Sequence, residues 1–495
     1  MTYQPPRLGP GAMYLRSLDK LFRSHADLIQ VAEIEPQSLW TKPTAPGSLP
    51  RGSPVELRHL RSLPQSVLTH GVGCPIGGTI CDQQRQVPQF RAWTEELSAP
   101  WTSEHLSIFH VRGAHGEQPC GFLMPPVQTE AGALLAAANI RRRAAALDKP
   151  FAFETGVNYF APRPSEMPDG DFFAAVAEAA DCGILLDLTN LWANQKNGRA
   201  TIHDVLARLP LERVWEVHLA GLEFAYGHWL DAHSNGVDDE LVDMAAEIIP
   251  DLLNLGAIIF EIAPDRLERF GAKEFLLQMD KLNRLWSETR PSSHRESPVR
   301  PSLSVPRAPE EAAPARDEWA PEEWERLIAH RMLPPRDRPS NNGVHVRLTA
   351  SDDRAFALYA ELAASFRRGA VAELLENTTR LLLIGMGEAE LRALMDRYIA
   401  ATAPAAFPTD EALSFRRFLE ANALPVPGLE DISKFESALI AATADGDPIQ
   451  VELSNNIEAL LAAIATGRLP GPETQRPGTV LEIAVDPVPV IRAIQ

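Results

Sequence analysis

Residues 151–187 read FAFETGVNYFAPRPSEMPDGDFFAAVAEAADCGILLD and contain the pattern on which the fold prediction rests. Two short apolar runs, FAFE and GILLD, flank the amphipathic segment DFFAAVAEAA. Parallel strands need a crossover connection between them, and an amphipathic helix is the usual one. The stretch therefore predicts a strand, a helix and a second strand that lies parallel to the first.

The same pattern continues on both sides, as far as about Leu285. The strand candidates are GAMYL from Gly11, LIQVAEI from Leu28, SVLTH to His70, TSEHL to Leu106, FAFE to Glu154, GILLD to Asp187, VWEVHL to Leu219 and AIIFE to Glu261. Eight such strands over roughly 280 residues match the size of a (β/α)8 TIM barrel. An open doubly wound sheet is the alternative, but it usually carries a glycine-rich phosphate loop after its first strand, and this sequence has none there.

A change of composition divides the chain. Residues 290–316 are rich in proline, serine and arginine without an apolar period, which predicts a flexible linker between a barrel domain over 1–289 and a smaller domain over 317–495. The smaller domain is expected to be mainly helical, with its first helix in DEWAPEEWERL capped by Asp317. PIQVEL and TVLEIAV predict a short β element near its end.

The composition limits the partners. The chain has 495 residues, a formal charge of −19 and a pI near 5.2, which argues against a nucleic-acid partner because phosphates would be repelled. No apolar run reaches the roughly 18 to 20 residues that a membrane span needs, and the first residues lack the apolar centre of a signal peptide. We therefore expect a cytoplasmic protein without a membrane partner.

Metal-binding residue types stand at the ends of the predicted strands. The carboxyl ends of barrel strands converge on one face, so residues far apart in sequence become neighbours there. From the third strand to the eighth, the residues at these ends are His70, His105, Glu154, Asp187, His218 and Glu261, and three further candidates follow closely: Asn190, Asp231 and His233.

The two glutamates make a metal site the favoured interpretation. Glu154 and Glu261 end strongly apolar runs, and an unpaired buried carboxylate costs several kcal/mol. No lysine or arginine stands next to either of them in sequence. The whole set offers nitrogen and oxygen donors without thiolate, which suits iron, manganese or zinc. Nine candidates exceed the capacity of one ion, so two or three ions are expected, with a carboxylate such as Glu154 as a bridge.

Donor types alone leave the chemistry open. Zinc or manganese would support hydrolysis or isomerisation, as in barrels of the sugar-isomerase or endonuclease type. Iron would support oxidation of a substrate by O2. A binding scaffold without catalysis is a further alternative, although the full set of candidate ligands argues against it.

Seven short motifs carry a resemblance to a known family. THGVG, SEHL, ETGVNY, LLDLTNLWAN, VHLAG, DAHSNGV and IIFEI, taken in order between Leu8 and Leu285, resemble the signature of the multinuclear non-heme iron-dependent oxidases, which include the methanobactin biosynthesis oxidase. The resemblance implies a TIM barrel with two or three iron ions, in a mixed-valence Fe(II)/Fe(III) form, and O2 as co-substrate. It implies oxidation of a residue, commonly cysteine, in a ribosomally made precursor peptide.

The family's ligand positions carry over completely. They are His70, His105, Glu154, Asp187, Asn190, His218, Asp231, His233 and Glu261, of which we expect His105 and Glu154 to be essential for catalysis. One departure is Thr155, where the family usually has asparagine after the bridging glutamate. Cys74 and Cys81 follow His70 without a C-x-x-C spacing, and we expect both to be ordinary reduced thiols.

The smaller domain resembles the family's partner proteins only faintly. The similar segments are MDRYIAATAPAAFPTDEALSFRRFLEAN and ISKFESALIAATADGDPIQVEL. Such partners hold the leader of the precursor peptide, so the domain is expected either to recognise the peptide or to pack on the barrel as a structural unit. In the second case a separate recognition protein would be needed.

Overall fold

The structure is a computed structural model, and it describes residues 3–42, 48–81, 86–289, 319–340, 348–485 and 489–493. The predicted linker over 290–316 and the predicted cap Asp317 lie outside the described residues. Within the described ranges, no helix has the length and apolar character that crossing a membrane requires.

The strands of the described residues run from β1 to β17. They are β1 (Gly9–Met13), β2 (Val31–Ile34), β3 (Trp40–Thr41), β4 (Arg51–Gly52), β5 (Ser66–Gly71), β6 (Thr102–His105), β7 (Ile108–Gly113), β8 (Gly116–Met124), β9 (Phe151–Glu154), β10 (Gly183–Asp187), β11 (Val214–Leu219), β12 (Leu222–Ala225), β13 (His228–Asp231), β14 (Ala257–Phe260), β15 (Ile449–Asn455), β16 (Gln475–Val485) and β17 (Pro489–Ala493).

The α-helices of the described residues run from α1 to α16. They are α1 (Asp19–Ser24), α2 (Pro54–Arg61), α3 (Val87–Glu96), α4 (Glu130–Leu147), α5 (Asp169–Ala180), α6 (Leu188–Lys196), α7 (Ile202–Leu206), α8 (Asp239–Ile248), α9 (Pro264–Ser287), α10 (Pro321–Met332), α11 (Ala350–Leu374), α12 (Glu376–Met386), α13 (Glu388–Ala401), α14 (Pro408–Asn422), α15 (Leu429–Asp445) and α16 (Ile457–Ala465).

Eight parallel strands close into a barrel. Their order around it is β1, β14, β11, β10, β9, β6, β5 and β2. These are the eight strands predicted from the apolar runs, so the TIM-barrel prediction is confirmed. The register pairs His105 with Glu154 on β6 and β9, and Asp187 with His218 on β10 and β11. Polar residues from neighbouring strands are thereby brought side by side at the carboxyl end.

The barrel strands are apolar because both of their faces are covered. Parallel strands of a barrel face its interior on one side and the ring of helices on the other. Inside, Val31, Leu68, Trp101, Leu185 and Ile259 belong to one buried cluster. A packed interior of this kind leaves the loops at the carboxyl ends as the place for chemistry.

Part of the C-terminal region packs directly on the barrel. Trp324 on α10 and Tyr359 on α11 share a buried cluster with the β7–β8 hairpin and with Phe160, which follows β9. The Phe160 and Tyr359 rings stack with centroids 5.4 Å apart. Arg163 adds an ion pair to Asp352 with an N to O distance of 2.6 Å. These helices therefore support a loop that begins directly after the strand of Glu154.

The rest of the C-terminal region has a core of its own. It comprises the end of α11, helices α12 to α16 and the antiparallel sheet β15–β16–β17. The two strands predicted near the chain end are β15 and β16, and the sheet contains a third, β17, which sequence analysis missed. The expectation of a mainly helical region with a small β element is confirmed.

A buried ion pair ties three helices of this second core together. Arg367 on α11 donates to Glu411 on α14 at 2.6 Å and to the Thr402 carbonyl at 3.0 Å. Tyr398 on α13 donates to the same carboxylate at 2.6 Å. The guanidinium is the cation that permits burial of Glu411.

We expect Arg367→Met to destabilise the second core by about 3–5 kcal/mol, because it leaves the Glu411 carboxylate buried without its cation. Urea denaturation followed by circular dichroism measures the change. Arg380→Met is the matched control, because Arg380 is on the exposed surface of α12 and should change stability by less than about 0.5 kcal/mol. Equal stability of the two variants would contradict this assignment.

Candidate metal centre

The first group of donors lies where β5, β6 and β9 end. The ring nitrogens His70 Nε2 and His105 Nδ1 lie 3.2 and 2.5 Å from Glu154 Oε2. The two Nε2 atoms of the histidines are 3.4 Å apart. The Ser103 hydroxyl bonds Nδ1 of His70 at 2.8 Å, which fixes the ring and directs Nε2 towards the carboxylate.

The second group follows around the barrel to β10. Asn190 Nδ2 donates to Glu154 Oε1 at 3.1 Å and to Asp187 Oδ2 at 3.0 Å. Asp187 also caps α6, because its Oδ1 accepts a hydrogen bond from the backbone N–H of Asn190 at 2.8 Å. Thr155 donates no ligand, but its hydroxyl accepts the Asp187 amide at 3.0 Å. The residue that departs from the family pattern therefore helps to position Asp187.

The third group comes from the β12–β13 hairpin and the end of β14. His233 Nε2 lies 3.2 Å from Asp231 Oδ1 and 3.4 Å from Glu261 Oε2. Glu261 Oε2 is also 3.2 Å from Nδ1 of His218 on β11. His233 has φ of 46°, so its backbone is in the left-handed region, two residues after Asp231.

Donor atoms of these groups fit shared cations. Atoms bound to one ion at about 2.1 Å are spaced roughly 3 to 4 Å apart, and three triads have donor atoms within 4.8 Å of one another: His70, His105 and Glu154; Glu154, Asp187 and His218; Glu33, His218 and Glu261. Among the described residues, the buried Asn190 Oδ1 has no hydrogen-bond partner, while Glu154 Oε2, Asp231 Oδ1 and both ring nitrogens of His218 face histidine or carboxylate groups at ion-pair distance without a hydrogen bond of good geometry. Buried polar atoms need partners, so this donor set suits metal ions.

The charges of the centre are strongly coupled. Burial lowers the pKa of His70, but the carboxylates of Glu154 and Glu33 outweigh burial and raise it to about 10. Burial raises the pKa of Glu261, but His218 and His233 lower it to about 2. Without metal ions, protonated imidazoles therefore balance the negative charges of the carboxylates. Metal ions would take over this role and release those protons.

Glu33, a buried carboxylate on β2, is not among the residues predicted from the sequence. Its Oε2 lies 3.1 Å from Nε2 of His218, and the residue has no exposed surface. Burial raises the pKa of Glu33 to about 8, although the positive charge of His218 opposes the shift. The sequence contains a signal for this residue. A glutamate inside the apolar run VAEI cannot face solvent, because both faces of a barrel strand are covered.

The two cysteines near His70 lie beside a buried arginine. Arg143 donates to Cys81 Sγ and to the Cys74 carbonyl, both at 3.1 Å. The Cys74 amide donates to Glu104 at 3.2 Å, and Glu104 accepts the His105 amide at 3.1 Å. Neither thiol belongs to a metal-binding triad of the described residues. These cysteines support the loop around the centre, and their expected role as ordinary thiols stays a prediction.

Comparison with known proteins finds a matching family model, similar protein sequences and similar solved structures. The model of the family described as RiPP precursor modification enzyme MbnB/TglH/ChrH matches residues 28–265, which is just under half of the chain and most of the barrel. RiPPs are ribosomally synthesised and post-translationally modified peptides. A UPF0276 protein of Anaeromyxobacter sp. strain Fw109-5 is 29% identical over 269 residues, covering 53% of this chain and 87% of that protein. A UPF0276 protein of Chromobacterium violaceum is 27% identical, covering 44% of this chain and 78% of that protein.

Solved structures similar to the chain include sugar-modifying barrels. D-psicose 3-epimerase of Clostridium cellulolyticum H10 has a TM-score of 0.38 and 9% identity, covering 56% of this chain and 97% of its own. A xylose isomerase domain protein of Salmonella typhimurium LT2 has a TM-score of 0.38 and 14% identity, covering 58% of this chain and all of its own. Over residues 28–265, the barrel of this chain is therefore similar to the MbnB/TglH/ChrH family of RiPP precursor modification enzymes.

Proposed function

We propose that this chain is an O2-dependent multinuclear iron oxidase that modifies a cysteine residue of a ribosomally synthesised precursor peptide. The observation that carries the proposal is the gathering of nine residues with nitrogen and oxygen donors, from six barrel strands and their loops, at one end of the barrel. The similarity of the barrel to a family of RiPP precursor modification enzymes supports a peptide as substrate.

We assign the nine residues as ligands of two or three ions. Glu154 is the proposed bridge, because it lies within 3.2 Å of two imidazoles and one amide. A mixed imidazole, carboxylate and amide set without thiolate suits iron better than copper(I) or an iron–sulfur cluster. Iron bound there would supply the electron-transfer chemistry that activates O2.

The burial of the donors suggests which side receives the peptide. His70, Asp187 and His218 are almost completely buried, whereas the side chain of His105 is 20% exposed and that of His233 is 27% exposed. The open side of the centre is therefore next to His105 and His233. The protein's own contribution is to orient the peptide there and to exclude water.

We propose peptide recognition as the role of the second core. A recognition unit in the same chain raises the effective concentration of a bound peptide to about millimolar. Helices α10 and α11 support this arrangement, because they join the second core to the rim of the barrel. If the second core has only a structural role, a separate recognition protein is required.

Oxygen consumption tests the proposed function. The protein is purified without oxygen, loaded with Fe(II), and mixed in an oxygen electrode with a synthetic cysteine-containing peptide that is encoded beside the gene. We expect O2 uptake that depends on the peptide, together with a mass change confined to its cysteine. Protein loaded with Zn(II) is the control and should consume no O2. A protein that purifies with zinc or manganese and is inactive with iron would instead support a hydrolase or isomerase.

A further inference from the structure

Glu33 is a carboxylate for which the nine proposed ligands leave no role. It lies on β2 between Ala32 and Ile34, and all three residues are fully buried. Among the described residues, neither of its oxygens has a hydrogen-bond partner. A buried carboxylate without donors costs several kcal/mol, so packing alone does not explain its presence.

The two ring nitrogens of His218 face different carboxylates. Nδ1 lies 3.2 Å from Glu261, which is one of the proposed ligands. Nε2 lies 3.1 Å from Glu33 and 3.7 Å from Glu216, which precedes His218 by two residues on β11. His218 is therefore held between the metal centre on one side and a pair of interior carboxylates on the other.

The two interior carboxylates, Glu33 and Glu216, differ in the hydrogen-bond donors that face them. Glu216 accepts a hydrogen bond from Trp101 Nε1 at 2.9 Å. For Glu33, the nearest proton donor shown by the structure is Nε2 of His218. Glu33 therefore relies on His218 as its proton donor, whereas Glu216 has Trp101 as a donor.

The chemistry of histidine indicates what a carboxylate at this position does. A neutral imidazole carries its proton on one nitrogen and can bind a metal only through the other. A carboxylate beside the protonated nitrogen fixes the ring orientation and makes the ligating nitrogen more basic.

We propose that Glu33 is a positioning residue of the metal centre, which accepts the Nε2 proton of His218 and thereby leaves Nδ1 as the nitrogen that binds metal beside Glu261. The inference rests on the proposed metal centre but does not depend on O2 or on the peptide.

Anaerobic titration with Co(II), followed by its visible absorption, tests this role without requiring turnover. We expect Glu33→Gln to weaken the affinity for at least one cobalt ion by about 10-fold, and Glu33→Leu to weaken it by up to about 100-fold. The absorption bands should shift in both variants, while the number of ions bound at saturation stays that of the wild type. The metal-free variants should keep the circular-dichroism spectrum of the wild type, which shows that the change in affinity does not come from loss of the fold.

Glu216→Gln is the matched control, since it makes the same change in the same interior. Its amide oxygen can still accept the Trp101 proton, and we expect the affinity for cobalt to change by less than about 3-fold. Unchanged affinity and unchanged spectra in both Glu33 variants would overturn the inference while leaving the metal centre intact. Loss of one whole ion in Glu33→Gln would also overturn it, because Glu33 would then be a ligand. A wild-type protein that binds no cobalt would refute the metal centre, and this inference with it.

Discussion

Glu154→Gln should reduce peptide-dependent O2 consumption by at least about 1,000-fold, which corresponds to about 4 kcal/mol of transition-state stabilisation. The carboxylate contacts His70, His105 and Asn190, so its charge is shared by two of the three donor groups. A neutral amide of the same shape keeps the packing but cannot bridge two cations. We therefore expect fewer metal ions per chain and a melting temperature of the metal-free protein close to that of the wild type.

A second buried glutamate provides the control for this experiment. Glu436 in the second core accepts the amides of Asn377 and Thr378 at 2.7 and 2.9 Å and lies outside the donor groups. Glu436→Gln should lower the melting temperature without changing the metal content of the chain. If Glu154→Gln retained its metal and its turnover, the bridging role would be wrong.

His105→Ala should also abolish turnover while leaving the fold nearly intact. The imidazole approaches Glu154 but is partly exposed, so its removal opens no large cavity in the core. The same O2 assay and metal analysis measure the effect. Unchanged product formation would contradict the assignment of His105 as an essential residue.

Trp324→Ala should lower the free energy of unfolding by about 3–5 kcal/mol. The indole is 2% exposed, donates to the Pro125 carbonyl at 2.9 Å and packs edge-on against Phe160 with ring centroids 5.1 Å apart. Its removal leaves a cavity between α10 and the loop that follows β9. Because this loop begins at Glu154, we also expect lower turnover with the metal still bound.

Trp324→Phe separates the effect of the cavity on stability from the effect of losing the aromatic ring contact. The smaller aromatic ring fills part of the space, so the loss should be about 1–3 kcal/mol, to be compared with the alanine variant by urea denaturation. A Trp324→Ala variant within about 1 kcal/mol of the wild type would show that the C-terminal helices do not support the barrel.

The barrel could be predicted because its signal is local. Runs such as FAFE and GILLD are apolar on both faces, and their spacing by amphipathic segments fits parallel strands. The β7–β8 and β12–β13 hairpins escaped prediction because they are short excursions between barrel strands rather than part of the repeat. The packing of Trp324 on Phe160 is a contact between distant parts of the chain, and no periodicity encodes it.

The candidate site could be predicted where its residues end a strand. His70, Glu154 and Asp187 stand at such ends, and the closed barrel brings them together as expected. Glu33 escaped because the prediction used the ends of the third to eighth strands, whereas Glu33 lies on the second strand, inside an apolar run. The left-handed backbone of His233 escaped because sequence spacing alone gives no dihedral angle. Assignment of the nine residues as ligands stays a prediction.

Anomalous diffraction at the iron edge, from crystals of the protein loaded with Fe(II) under anaerobic conditions, shows whether the nine residues bind iron. We expect about two to three iron peaks at the carboxyl end of the barrel, each within about 2.0–2.3 Å of donors among the nine proposed residues. Crystals of loaded protein without an iron peak at that end, or with iron bound only to other residues, would contradict it.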